Sequence, residues 1–504
     1  MTAMLAARTA GKDKAILLVA SAGCAMTVLD TNVVGIVLPA IARDLQASFA
    51  QVEWVISAYV LCFAALLLPA GSIADRYGRR RVFLAGITVF ALASLACGLA
   101  PSAPGLYLAR GAQGVGAAFL LAPSLAIIGH RFHEEPARGR AWGVWGGIMG
   151  LTMVVAPLIG GAINGLLGWR WAFHVNIPIC ALLAGAVLRH VDESRDTHAR
   201  RLDYPGIVLF ALGMFCATWA LIQGPVHGWD SSPVVSGGVA GLALFAAFGW
   251  VERRMPHPML DLDIFAAWPF RGAVMAMFAY AASVQVMASL LPQFLQNGRG
   301  HGPLEAAMAM LPFGLAMLFF PQVGRRLSSR LNSAGILTLG LGVVALGNFI
   351  MIYAARQHGE AASIIGMCTL GMGGGLLNGE TQKAIMGTIP PHRAGMASGI
   401  STTSRFSGIL LGFAGLGAVL ASNARSALEH AMPAARLTTE AGFVDNVVAG
   451  DLDRAVTAYP ASLAATVAAI ARNGYSIGFS HAFLAAALLA GGSAAAVFVS
   501  MKKR

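Results

Sequence analysis

Asp30 stands in the middle of an apolar run that ends near Pro39 and is long enough to cross a bilayer. An acid there is costly to place and usually marks an ion or substrate path. A carboxyl that gains and loses its charge as two sides of a molecule open in turn is a candidate proton carrier. A neutral Asp30 that hydrogen-bonds two helices together is the alternative. Arg110 lies near one end of a later run and Asp30 nearer the other end of its own. At 1.5 Å per residue both sit about 22 to 25 Å from the same membrane face, so they can meet. A cation close to the acid in one state and distant in another would couple a proton to a change of shape, whereas a static pair would only hold helices together. Glu380, in Asn378-Gly379-Glu380-Thr381-Gln382-Lys383, is too deep in its run to be casually solvated and is a candidate for reading substrate or a second proton. Its alternative role is an i,i+3 pair with Lys383. Arg405, after Ser401-Thr402-Thr403-Ser404, is a candidate partner for it. Asn32, Tyr59, Gln113, Gln293 and Gln296 fall at the depth of a central cavity and complete the candidate substrate-binding set. The 21 methionines could supply adaptable walls.

Enzyme chemistry is not expected. The chain has no ordered Ser/His/Asp set, no metal-ligand spacing and no G-x-x-x-x-G-K-[ST] loop, so neither hydrolysis, a metal centre nor self-supplied ATP drive is read from it. The six cysteines all fall within apolar runs, as packing residues.

These residues must be positioned by membrane helices. Of 504 residues, 57% are hydrophobic and 12% charged, against about 25% charged in a soluble domain. The net charge of +12 does not indicate nucleic acid, because the basic residues form short clusters between apolar runs. Fourteen spans are expected, at about 15–39, 52–74, 82–99, 105–128, 142–166, 171–189, 205–223, 235–252, 271–295, 304–323, 335–355, 362–387, 396–421 and 478–499. The first run is too long for a signal peptide and many others follow it. An even number of spans puts both termini on one side. The clusters at Arg76 to Arg81, Arg131 to Arg140, Arg195 to Arg201, Arg253, Arg254, Arg325, Arg326, Arg330 and Lys502 to Arg504 put that side in the cytoplasm. The expected fold is all-α and polytopic, with a six-helix bundle over 1–190, a two-helix insertion over 191–270 and a second six-helix bundle over 271–504. A periplasmic loop near 422–477, bearing Asp451 and Asp453, reads as a partly helical cap.

The segment Gly71-Ser-Ile-Ala-Asp75-Arg76-Tyr-Gly78-Arg79-Arg80-Arg81 ends the second run with five charges. Its glycines permit close packing and a tight bend, and Asp75 can accept from arginines or a helix N-terminus. The order of residues resembles the loop between helices 2 and 3 of the major facilitator superfamily, with a weaker repeat at Val323-Gly324-Arg325-Arg326-Leu327. Leu106-x-x-x-Arg110-x-x-Gln113-Gly114-x-Gly116-Ala117-Ala118 resembles its helix 4 motif, and Leu29-Asp30-Thr31 through Leu38-Pro39 the helix 1 motif of its drug:proton antiporters. Asn32 and Gly35 depart from that last motif, where Thr and Asn are usual, which bears on substrate identity. Ala156-Pro157-Leu158-Ile159-Gly160-Gly161 is similar to the gating element of exporters, with Ala156 and Thr152 in place of glycines. Trp169-Arg170-Trp171-Ala172-Phe173-His174-Val175-Asn176-Ile177-Pro178, Asp203-Tyr204-Pro205-Gly206 and Glu252-Arg253-Arg254-Met255-Pro256-His257-Pro258 resemble the helix 5 to 6 loop and the flanks of the two extra helices in the fourteen-helix drug:proton antiporter family.

The resemblance implies a 6 + 2 + 6 major facilitator fold in a bacterial inner membrane, acting as a monomer. It implies export of amphiphilic or aromatic small molecules, drugs, antibiotics or a toxic metabolite, in exchange for protons. Asp30 and Arg110 would couple the proton, and Gly71, Asp75, Arg76, Gly78, Arg79, Pro157, Gly160 and Gly161 would serve the conformational change. No cofactor beyond the proton motive force is implied. A periplasmic adaptor with an outer-membrane channel is a candidate partner, and proton-linked uptake of a nutrient or siderophore is the rival reading.

Overall fold

In the computed structural model, residues 2–132, 137–195, 203–256, 258, 262–357, 359–388, 394–440 and 442–502 are described. Among them fourteen helices are long and apolar enough to cross a membrane. Spans 1 to 7 are Gly11–Asp44, Phe49–Leu67, Arg79–Gly98, Ala103–Arg131, Val144–Leu166, Trp171–His190 and Tyr204–His227, and the helix of span 2 runs on to Tyr77. Spans 8 to 14 are Ser232–Glu252, Trp268–Gly298, Pro303–Leu327, Ser333–Gln357, Glu360–Gly387, Ile400–Ala434 and Ala461–Met501. The start of span 1, the end of span 4, the start of span 9 and the end of span 14 share one end of the bundle, called here the terminal end, and the opposite end is the far end.

Local chemistry sets several boundaries. Ser48 and Gln51 form a capping box at the start of span 2, with bonds of 2.9 and 3.4 Å, and the Ser102 hydroxyl accepts from Gly105 N–H ahead of span 4. Asp203 caps span 7 by accepting from Gly206 N–H at 2.8 Å, which gives the Asp203-Tyr204-Pro205-Gly206 segment a physical role. His257 and the clusters at Arg195 to Arg201 and Arg131 to Arg140 fall partly or wholly outside the described residues, as do Lys503 and Arg504.

Span 4 packs closely on spans 2 and 3, and span 1 on span 5. In the C-terminal part span 11 lies against spans 12 and 14, span 10 against span 12, and span 13 against span 14. Spans 7 and 8 pair with one another, and span 7 rests on spans 2 and 13. Contacts between the first six spans and the last six run through spans 2 and 13, 5 and 10, and 1 and 9.

Two sequence expectations change. Span 13 continues to Ala434 and span 14 begins at Ala461, so the expected long loop over 422–477 is mostly helix. Both helices project beyond the apolar stretch that hydropathy detects. Between them lie the short helices Phe443–Ala449 and Leu452–Thr457. Asp451 caps the second by accepting from Arg454 N–H, and Asp453 pairs with Arg43 of span 1 at 3.6 Å. The cap therefore ties the two parts of the chain at the far end. Span 9 is also interrupted by π-helical turns at Ala281–Gln285 and Phe294–Gly298, a feature often found at functional sites and one that hydropathy does not reveal.

Candidate functional site

Asp30 and Arg110 meet as their depths require. Arg110 Nη1 donates to Asp30 Oδ2 at 2.5 Å, and neither side chain is exposed. Arg110 Nε donates to the carbonyl of Val55 at 3.0 Å, and Nη1 also reaches Gln113 Oε1 at 2.7 Å. The Gln113 amide then donates to Asp30 Oδ1 and to the Ser94 hydroxyl, each at 2.8 Å. Asn176 donates to Asp30 Oδ1 at 3.1 Å. The guanidinium carbon lies 4.2 Å from the centre of the Tyr59 ring and 5.8 Å from that of Phe173, so aromatic faces supply part of its stabilisation. Arg110 Nη2 has no hydrogen-bond partner.

Close helix approach makes this cage possible. A Cβ at Gly114 would collide with the carbonyl of Tyr59, and one at Gly116 with the backbone of Phe90. Small residues there let spans 2, 3 and 4 bring Tyr59 against Arg110 and Ser94 against Gln113, around the Asp30 carboxyl. Ser94 and Asn176 were not singled out from sequence as ligands of the acid. Asn176 stood in a segment read only through its family resemblance, and Ser94 in an apolar run carried no signal.

A narrow cleft, with room for little more than one water, lies between the first and last six spans. Asn32, Met153 and Pro157 line it on one side, and Ala288, Met310 and Phe313 on the other. Asn32 is thus placed at the cleft, two residues beyond the buried Asp30. Its amide donates back to the carbonyl of Val28 at 2.8 Å. Tyr59 and Gln113 belong to the Asp30 cage and are buried there, away from the cleft surface. Gln293 accepts from the Tyr475 hydroxyl at 3.4 Å, while Gln296 donates to the carbonyl of Ile36 at 3.0 Å and so joins span 9 to span 1.

Glu380 and Arg405 do not pair. Glu380 accepts from Ser333 at 2.6 Å and from Lys383 at 3.1 Å, the i,i+3 arrangement expected as its alternative. Arg405 donates to Gln285, in the first π turn of span 9, at 3.0 Å. The Tyr280 hydroxyl donates to Asn378 at 3.2 Å.

The conformational candidates fall in two places. Gly160 abuts Val33 of span 1, where a Cβ would lie 3.2 Å from its Cα, and Gly161 abuts span 10, where a Cβ would lie 3.0 Å from the carbonyl of Pro303. At the terminal end Arg79 donates to Asp75 at 2.8 and 2.9 Å, and Arg76 is exposed beside the Tyr77 ring. Gly78 has φ +112° and starts span 3, whose free Arg80 and Arg81 N–H groups donate to Glu193 at 3.1 and 3.2 Å. Glu193, from beyond span 6, thus does the N-terminal work that Asp75 was considered for. Gly71 has only the Ala122 methyl within reach, 3.9 Å from where its Cβ would stand.

Among the described residues, the hydrogen bond and ion pair joining the first six spans to the last six both lie at the far end, at Gln296–Ile36 and Arg43–Asp453. Near them Gly35 fits against Ser289, where a Cβ would lie 3.3 Å from its carbonyl.

Residues 20–413 match the family model of the Major Facilitator Superfamily. The multidrug resistance protein Stp of Mycobacterium tuberculosis (strain CDC 1551 / Oshkosh) is 36% identical over 82% of this chain and 77% of that protein. The tetracenomycin C resistance and export protein of Streptomyces glaucescens is 31% identical over the same shares, 82% and 77%. The multidrug efflux pump LfrA of Mycolicibacterium smegmatis is 30% identical over 94% of both chains. Among solved structures, a bacterial homologue of the human lysosomal transporter Spinster superposes with a TM-score of 0.65 at 18% identity, covering 97% of each chain, which is a likeness of fold.

Proposed function

The chain belongs to the Major Facilitator Superfamily, and we propose that it exports amphiphilic or aromatic small molecules, antibiotics or a toxic metabolite among them, in exchange for protons. The resistance and export roles named for its relatives support the substrate class and the direction. In this reading two six-helix bundles, 1–190 and 271–504, rock about the cleft, with the two helices of 191–270 beside them. The termini are cytoplasmic and the membrane is the bacterial inner membrane. The far end is then the outer side, and the conformation described is sealed outward.

The observation that carries the proposal is the Asp30–Arg110 pair, sealed within the first bundle and two residues from Asn32 in the cleft. Arg110, Gln113 and Asn176 each donate to the Asp30 carboxyl, so its oxygens are satisfied while the pair is closed. Movement of span 1 or span 4 on rocking would part them and leave a lone buried acid, which takes up a proton to avoid an unpaired charge. The proton motive force is the only energy source required. Glu380, anchored by Ser333 and Lys383, and Arg405, held by Gln285, are secondary candidates for contact with substrate on the other bundle. A periplasmic adaptor remains a candidate partner.

Efflux of a fluorescent cationic dye from reconstituted vesicles under an imposed pH gradient tests this. Asp30→Asn is expected to abolish gradient-driven flux while the protein still inserts. Unchanged flux in that variant would make Asp30 structural and overturn the coupling assignment.

A further inference from the structure

Glu53 is the second buried acid of the first bundle, and the mechanism above does not use it. It sits on span 2 and is 3% exposed. Its Oε2 has no hydrogen-bond partner, and it forms no ion pair among the described residues. It points across the junction between the two bundles: a Cβ at Gly417, on span 13, would collide with its Oε1. A glycine there gives the carboxyl its only room. Span 7 closes the junction from the lipid side, with Ile222 packed between Ala50 and Ala414 and Phe215 stacked 5.7 Å from Trp54.

The groups around Glu53 are neutral or already engaged. Span 14 presents the Tyr475 hydroxyl, which is occupied with Gln293 and Asn297 of span 9. Span 4 offers Tyr107, beside Trp54, and Arg110, which is committed to Asp30 of span 1. Arg425 of span 13 pairs with Asp445 of the cap helix at 2.5 Å. Span 7 contributes Phe215 and Ile222 and, on the same face, the buried and neutral Thr218 hydroxyl, which has no partner among the described residues. An ionised carboxylate with neither cation nor donor cannot be held in such a place, whereas the neutral acid can.

We propose that Glu53 is a proton-operated latch on the far-end junction, which closes only when the carboxyl carries a proton. The inference rests on the reading that the two bundles part at the far end during transport. Parting would lift Glu53 off Gly417 into water, where a glutamate ionises near its ordinary value of about 4.3. An ionised Glu53 must regain a proton before the junction can close again. The closed form therefore binds one more proton than the open form. Raising the pH favours opening and acidity at the far end favours closure. With the far end outward, acidity on the outer side favours the closing step. Glu53 returns its proton to the side it came from, so it tunes the balance of open and closed forms to the outer pH without setting direction or adding to the protons carried by Asp30.

The test is a distance between nitroxide labels at Leu99 and Tyr353, exposed residues at the far ends of spans 3 and 11, in a background with the native cysteines replaced. In nanodiscs the ratio of open to closed populations is expected to rise with pH, by up to about tenfold per unit for one linked proton. Glu53→Gln, a neutral isostere, is expected to remain closed across pH 5 to 9 and lose that slope, and Asp30→Asn to retain it. A wild-type distribution independent of pH, or a Glu53→Gln slope equal to wild type, would overturn the latch. Dye export by the same preparations reads the transport assignment separately, because labels can respond to pH in a protein that exports nothing.

Discussion

The Asp30–Arg110 pair is unusual in how completely it is fenced. A buried ion pair is costly to assemble, but removing one member costs more, because the other is left charged in a dry site. Arg110→Ala should therefore lose about 3 to 5 kcal/mol of stability. Adding Asp30→Asn should recover much of that loss, since Gln113 and Asn176 donate to an oxygen that the neutral amide retains. Thermal unfolding of the two single variants and the double variant in detergent measures this. If the double variant is no more stable than Arg110→Ala, the cost comes from lost packing against Tyr59 and Phe173 and not from a stranded charge. The pair was legible in sequence because depth along a helix follows from rise per residue alone. Its ligands were less so. Gln113 was read as a cavity residue, and Ser94 and Asn176 were passed over, because the direction a side chain faces depends on helix rotation, which an almost uniformly apolar run does not fix.

At the scale of elements, glycines of one motif do different work. Gly78 holds φ +112° at the junction of spans 2 and 3, with Glu193 packed where its Cβ would go. Gly78→Ala should cost about 1 to 3 kcal/mol through strained backbone alone and disturb the Glu193 contact with Arg80 and Arg81 as well. Gly71→Ala should leave stability unchanged, since its Cβ meets only Ala122 at an ordinary distance. Unfolding temperatures of the two variants check the contrast, and an equal loss in both would contradict it. If Gly71→Ala is stable but transports poorly, its space is needed in the other conformation. The ends of spans 1 to 12 followed closely from the sequence because caps, charges and hydropathy agree there. Spans 13 and 14 did not, because both continue as helix past the apolar stretch, and hydropathy measures what lipid accepts, not where a helix stops. The π turns of span 9, the first of which presents Gln285 to Arg405, left no periodic trace.

For the whole molecule, the number of spans and the shared side of the termini follow from apolar length and parity, which are properties of composition along the chain. Which surfaces meet across the cleft depends on how the two bundles are tilted, and a rocking molecule has more than one answer. Here spans 1 and 9 touch at Gly35 and Ser289, where a Cβ at position 35 would lie 3.7 Å from the Cα of Ser289. One C–C bond further back, the two Cα atoms stand within about 5.2 Å, inside the range of about 4.4 to 6.8 Å that a disulfide spans. In a background free of native cysteines, Gly35→Cys with Ser289→Cys should cross-link under mild oxidation and stop transport, and a reductant should restore it. Each single variant should transport before and after oxidation. A cross-linked protein that still transports at the wild-type rate would mean that the junction of spans 1 and 9 does not part during the cycle, and the rocking motion would then have to be placed elsewhere in the bundle.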